Sequence, residues 1–136
     1  MSEIIAQIEL QCRHQQFDVN SLINRFNISD TYLRELSRKI FGLSPSELIE
    51  SVRLSYILNH IESKEHFVCL SEKCGFGCIK TFNRVFSKRI GISAAQARKQ
   101  LLLTTDKDAL KQEWLHIIWL RGGKGIPLSI QRKKSW

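Results

Sequence analysis

Two stretches of this 136-residue chain repeat one another. Laying DVNSLINRFNI over HFVCLSEKCGF puts Val19 on Phe67, Leu22 on Leu70, Phe26 on Cys74, Asn27 on Gly75 and Ile28 on Phe76, an offset of 48. With one residue added in the turn the offset becomes 49. Leu33 then falls on Phe82, Leu36 on Val85, Phe41 on Ile90, Gly42 on Gly91, Leu43 on Ile92 and Ser44 on Ser93. Such a repeat limits the fold more than any composition figure, because a recurring unit must bury the same face twice.

The periodicity within each copy is helical. An opening helix carries Ile4, Ile5, Ile8 and Leu10 and ends near Arg13. Asp18 caps a segment whose Val19, Leu22, Ile23 and Phe26 form an i, i+3, i+4, i+7 stripe. Asn27 stands where the chain must turn out of that helix. Ser29 or Asp30 caps TYLRELSRKIF, which stops at Gly42. Ser44 and Pro45 start a helix of about 17 residues, on the order of 26 Å, with Leu48, Ile49, Val52, Tyr56, Ile57 and Ile61 on its apolar face. The second copy follows. Residues 106–120 predict a further helix, with Leu110, Trp114, Ile117 and Ile118 in a stripe that Leu115, Trp119 and Leu120 widen. Packing against the second copy is the expected role of that stripe, and a partner-binding surface the alternative. The tail RGGKGIPLSIQRKKSW is glycine-rich, then basic, and is expected to add non-specific affinity for a polyanion.

The expected fold is all-α. A first helix-turn-helix subdomain spans 1–44, a connecting helix 45–63, a second helix-turn-helix subdomain 64–100, and a C-terminal helix with a flexible basic tail 101–136.

Charge separates the two halves. Residues 1–63 hold six Lys/Arg against eight Asp/Glu, a net of −2, and residues 64–136 hold fifteen against five, a net of +10. A basic half suits a polyanion or an anionic surface. No apolar run is long enough to cross a membrane, and the N-terminus lacks the pattern of a secretory signal, so a cytoplasmic, nucleoid-associated protein is expected. Cys69, Cys74 and Cys78 are spaced x4 and x3 rather than as paired CxxC, and Cys12 stands apart, so small buried thiols are expected rather than a metal site. No Ser/His/Asp or Cys/His constellation, glycine-rich phosphate loop or paired-carboxylate motif stands at a usable spacing. The expectation is no enzyme and no cofactor.

In the second copy Phe82, Val85, Phe86 and Ile90 would hold the helix against its domain. Ile79, Lys80, Asn83 and Arg84 would share the opposite face at i, i+1, i+4, i+5. A major groove about 12 Å wide admits such a helix. Arg84 suits a bidentate pair with guanine, Asn83 a pair with adenine, and Ile79 a thymine methyl. Ser87, Lys88 and Arg89 follow on the last turn, where phosphates would pass.

SDTYLRELSRKIFGLSPSELIESVRL and LSEKCGFGCIKTFNRVFSKRIGIS together resemble the DNA-binding domain of AraC/XylS-type bacterial transcription regulators. The resemblance covers about residues 3–100. Its most specific part is GF-x(5)-F-x(3)-F-x(3)-IG-x-S, met by Gly75, Phe76, Phe82, Phe86, Gly91 and Ser93. It implies base contacts from Thr31, Arg34 and Glu35 in the first unit and from Ile79, Lys80, Asn83 and Arg84 in the second, with Arg38 and Lys39 on phosphates like their counterparts near Lys88. Successive major grooves on one face of a duplex lie about 34 Å apart, so two units in one chain can read a non-palindromic site as a monomer. The resemblance also implies an activator that touches RNA polymerase. Sixteen residues before Phe17 are too few for the ligand-binding domain many members carry, so either a stand-alone member or a fragment is expected, with no small-molecule effector site.

The chain departs from the family pattern in four places. Ala94 stands where proline is usual and Ala97 near a usual tyrosine, which implies a less firmly started last helix. Gly77 replaces a frequent serine and Cys78 a frequent acid. Asp30 and Glu35 weaken the first unit's charge, so the second should supply most of the affinity. A contrasting reading keeps the fold but makes it a protein-interaction adaptor that binds through the tryptophan-containing C-terminal helix.

Overall fold

The structure, a computed structural model, describes residue 24, residues 26–123, and residues 125 and 126. The expected opening helix, the Asp18 cap, most of the Val19–Phe26 stripe, Cys12 and the end of the basic tail lie outside the described residues. Within them the regular structure is six α-helices. These are α1 (Asp30–Phe41), α2 (Pro45–His60), α3 (Phe67–Lys73), α4 (Ile79–Ile90), α5 (Ala94–Leu103) and α6 (Lys107–Leu120).

The duplication reappears as matched backbone devices. Asn27 and Gly75, 48 residues apart, both take positive φ, 50° and 87°. The extra residue of the second turn is Gly77, also left-handed at φ 83°. The helices that follow, α1 and α4, are each 12 residues long and end on left-handed glycines, Gly42 and Gly91. Those glycine N–H groups donate to Arg38 O and Ser87 O, both at 2.9 Å. Ser44 and Ser93 then close reciprocal capping boxes with Glu47 and Gln96. Each box satisfies two orphan N–H groups of a new helix. The Ser93 box starts α5 despite the missing proline, and Ala97 is wholly buried, so that helix is firmly begun and packed.

The caps differ at α1 and α4 themselves. Ser29 caps α1, its Oγ accepting from Tyr32 N at 3.1 Å. Cys78 occupies the same position before α4 and makes no side-chain cap. Its thiol lies 3.2 Å from the Thr81 hydroxyl, and that hydrogen bond is the main reason its pKa falls below the ordinary thiol value. Cys69 is exposed as well, and only Cys74 of the described cysteines is the buried thiol expected.

The connecting helix α2 is the axis of the molecule. Leu48, Ile49, Val52, Leu54, Tyr56, Ile57 and Leu58 are all buried, so apolar residues cover more than one face. Such a helix must be surrounded. α1 packs on one part of it, α3 on another, and α6 along it. Its buried serines are satisfied internally: Ser51 Oγ and Ser55 Oγ donate to the carbonyls of Glu47 and Ser51, both at 2.8 Å.

Around α4 the core is aromatic. Phe82 is wholly buried, with Phe67, Phe76 and Phe86 at centroid distances of 5.8, 5.8 and 5.9 Å. The Phe76 contact is edge-on, the arrangement ring quadrupoles favour.

The C-terminal helix packs on α2 and α4, so it is shared between the connecting helix and the second unit rather than belonging to the second unit alone. Trp114, Leu115, Ile118 and Trp119 are buried, while Ile117 and Leu120 face outward. Among the described residues no helix is long and apolar enough to cross a membrane.

Candidate nucleic-acid interface

α1 and α4 bury equivalent stripes and leave equivalent faces open. In α1 the buried positions are Leu33, Ser37 and Phe41. In α4 they are Phe82, Val85, Phe86, Arg89 and Ile90. Thr31, Arg34, Glu35, Arg38 and Lys39 are exposed on α1, and Lys80, Asn83, Arg84, Ser87 and Lys88 on α4. Each set lies on the side away from the core, where a side chain can reach a groove or a phosphate.

The two faces differ in charge. On α1, Arg34, Arg38 and Lys39 are offset by Asp30 and Glu35. Arg34 already holds Asp30 at 2.8 Å, one turn away, with both side chains largely exposed. Such a pair contributes about 0.3–0.5 kcal/mol, so a base edge can replace it at little cost. α4 carries Lys80, Arg84 and Lys88 with no acidic residue in its whole length.

Ile79, at the start of α4 beside exposed Lys80, is half-buried and packs partly against the core. Arg89 is a correction. Expected on phosphate, it points inward with a side chain only 2% exposed. Its guanidinium donates to Glu50 Oε1 at 2.5 Å, to Ser51 Oγ at 2.7 Å and to Ile118 O at 2.7 Å. The physical reason is position. Residue 89 is i+7 from Phe82 and i+3 from Phe86, on the apolar stripe, and α2 and α6 supply acceptors there. Ile40, the equivalent residue of the first unit, is partly exposed.

A second arginine fixes the unit at its other edge. Arg98 Nε donates to Ile61 O, at the C-terminal end of α2, at 2.7 Å, and its guanidinium lies 3.8 Å above the Phe67 ring. Both arginines therefore meet carbonyls at helix ends, where a cation is favoured. The sequence signal for each was its place on a stripe, which its charge obscured. Among the described residues no group of His, Cys, Asp and Glu is placed to hold a metal ion.

Comparison with known proteins matches residues 22–100 to a family model described as a helix-turn-helix domain. The match stops before α6. A curated relative, the HTH-type transcriptional regulator Rv1931c of Mycobacterium tuberculosis, is 28% identical over 82 residues, 60% of this chain and 32% of that protein. The aligned region thus spans about a third of the relative's length. Among solved structures, the C-terminal domain of AraT, a response regulator from Geobacillus stearothermophilus, superposes with a TM-score of 0.69. The alignment covers 73% of this chain and 83% of that one at 19% identity, a likeness of fold. With two matched helix-turn-helix units on one connecting helix, the chain belongs to the helix-turn-helix domain family of AraC/XylS type.

Proposed function

We propose that this chain is a sequence-specific transcription regulator that binds double-stranded DNA as a monomer, laying α1 and α4 in adjacent major grooves, and that it activates by contact with RNA polymerase. The observation that carries the reading is the pair of exposed faces at equivalent positions of α1 and α4, on helices with the same length and the same glycine stop.

In this reading Arg84 pairs with guanine O6 and N7 and Asn83 with adenine, with Lys80 beside them at the groove floor, while Thr31 takes its place in the groove of α1. Arg34 leaves Asp30 to reach a base, and Glu35 accepts from a cytosine amine. Lys88, Ser87, Arg38 and Lys39 hold phosphates and set the register. The uncompensated cations of α4 supply most of the affinity. The family is one of binding domains, and no catalytic role is assigned to any residue. The adaptor alternative finds little support, because Trp114 and Trp119 are 4% and 1% exposed and leave no tryptophan surface on α6.

The deciding experiment is a binding selection on randomised duplexes. The enriched motif should contain two unlike half-sites about 10 base pairs apart. A single short motif, or a palindrome bound by a dimer, would refute monomeric reading of two grooves.

A further inference from the structure

The residues from Trp114 to Gly122 reach the connecting helix, α4 and the glycine that ends α1. Trp119 Nε1 donates to Ser55 Oγ of the connecting helix at 3.1 Å. The Ile118 carbonyl accepts from Arg89 of the second unit at 2.7 Å. Arg121 pairs at 3.2 Å with Glu47, the acid of the capping box that opens α2. Gly122 lies against the glycine that ends α1: a Cβ added at Gly42 would stand 1.8 Å from Gly122 O, and one added at Gly122 only 2.0 Å from Phe41 O. α1 packs against α2, whereas α4 packs against α3, α5 and α6. The appended helix is therefore a brace that joins the two recognition helices through the rod between them.

We infer that α6 and the Arg121–Gly122 segment determine the half-site spacing this protein accepts, by fixing α4 relative to α1. The inference rests on the two-groove reading. Two recognition units joined loosely behave as tethered modules and accept a range of spacings, because the linker supplies an effective concentration over many distances. Two units locked in one body accept a single spacing and lose the second unit's contribution when it changes. Arg89 is a positioning residue in this scheme, and its charge serves the brace rather than the duplex.

The test uses the full chain and a series of duplexes with both half-sites at different separations. Gly122 is not among the positive-φ glycines, so alanine suits its backbone, and what objects is the Phe41 carbonyl at 2.0 Å with the Leu43 side chain at 3.1 Å behind it. The wild type should prefer one spacing by about 100-fold over a site displaced by half a turn. Gly122→Ala should lower that preference below about tenfold while leaving affinity for an isolated second half-site within about twofold. Leu120→Ala, at an exposed position, should behave as wild type. If Gly122→Ala loses its helical circular dichroism, Arg89→Lys takes its place, since one ammonium nitrogen lacks the fork by which one guanidinium nitrogen meets Glu50 and the other Ser51 and Ile118. A variant that keeps the wild-type spacing preference overturns the inference alone. A wild type indifferent to spacing overturns the two-groove reading, and the inference with it.

Discussion

Arg89 and Glu50 form an ion pair whose two halves are unequally buried, and removing them one at a time should have unequal effects. The Arg89 side chain is 2% exposed and that of Glu50 30%. Glu50→Ala leaves a buried guanidinium with only neutral acceptors, Ser51 Oγ and Ile118 O. An orphaned buried charge costs about 3–5 kcal/mol. Arg89→Met leaves a carboxylate that can turn to water and a serine hydroxyl that still donates to Glu47 O at 2.8 Å. The methionine fills the space of the arginine stem. The main loss is at Ile118 O, in the last turn of α6, where the Gly122 N–H goes to Trp119 O instead. An orphaned carbonyl costs about 1–3 kcal/mol. The acid, though more exposed, should therefore be the more damaging deletion by about 2 kcal/mol. The double variant should cost less than the sum of the two by about 0.5–3 kcal/mol. Urea unfolding followed by fluorescence of the buried Trp114 and Trp119 reads all three at once. Arg89→Met costing as much as Glu50→Ala, or strictly additive losses, would refute the account. Binding gives an independent check: Arg89→Met should leave the slope of log K against log salt unchanged.

Arg84→Ala should lower affinity for the preferred duplex by about 1–3 kcal/mol and blur one base position, with random-sequence binding little altered in a competition assay. Lys88→Ala should weaken all sequences alike and reduce the salt slope by about one. Phe82→Ala empties the centre of the Phe67, Phe76 and Phe86 cluster and should destabilise the protein by about 3–5 kcal/mol, seen as a lower urea midpoint. Glu47 has its carboxyl held below the ordinary glutamate range, first by the Ser44 backbone N–H of the capping box and also by Arg121. A depressed carboxyl contributes stability above its unfolded pKa and loses it as pH falls through the folded one. Glu47→Gln should accordingly narrow the difference in urea midpoint between neutral pH and pH below the ordinary glutamate range, and an unchanged difference would remove Glu47 from the acid response.

Much of the fold was legible in the sequence because its signals are local. Helix ends were written in Ser44-Pro45, Gly42 and Gly91, each of which acts on neighbours within one turn. The exposed candidates of α4 followed from the period of Phe82, Val85, Phe86 and Ile90. Reading charge ahead of period is what misplaced Arg89.

The sequence by itself determined the two-copy plan, the helix boundaries and the polar faces of α1 and α4, since capping, glycine conformation and helical period depend on residues a few places apart. Only the tertiary structure decided that Arg89 belongs inside, that the tryptophans of α6 belong to the shared core, and that Gly122 seals against Gly42. Those outcomes depend on acceptors, cavities and backbone surfaces supplied from 29 to 80 positions away, and a side chain's charge or size does not reveal which partner will be there to meet it.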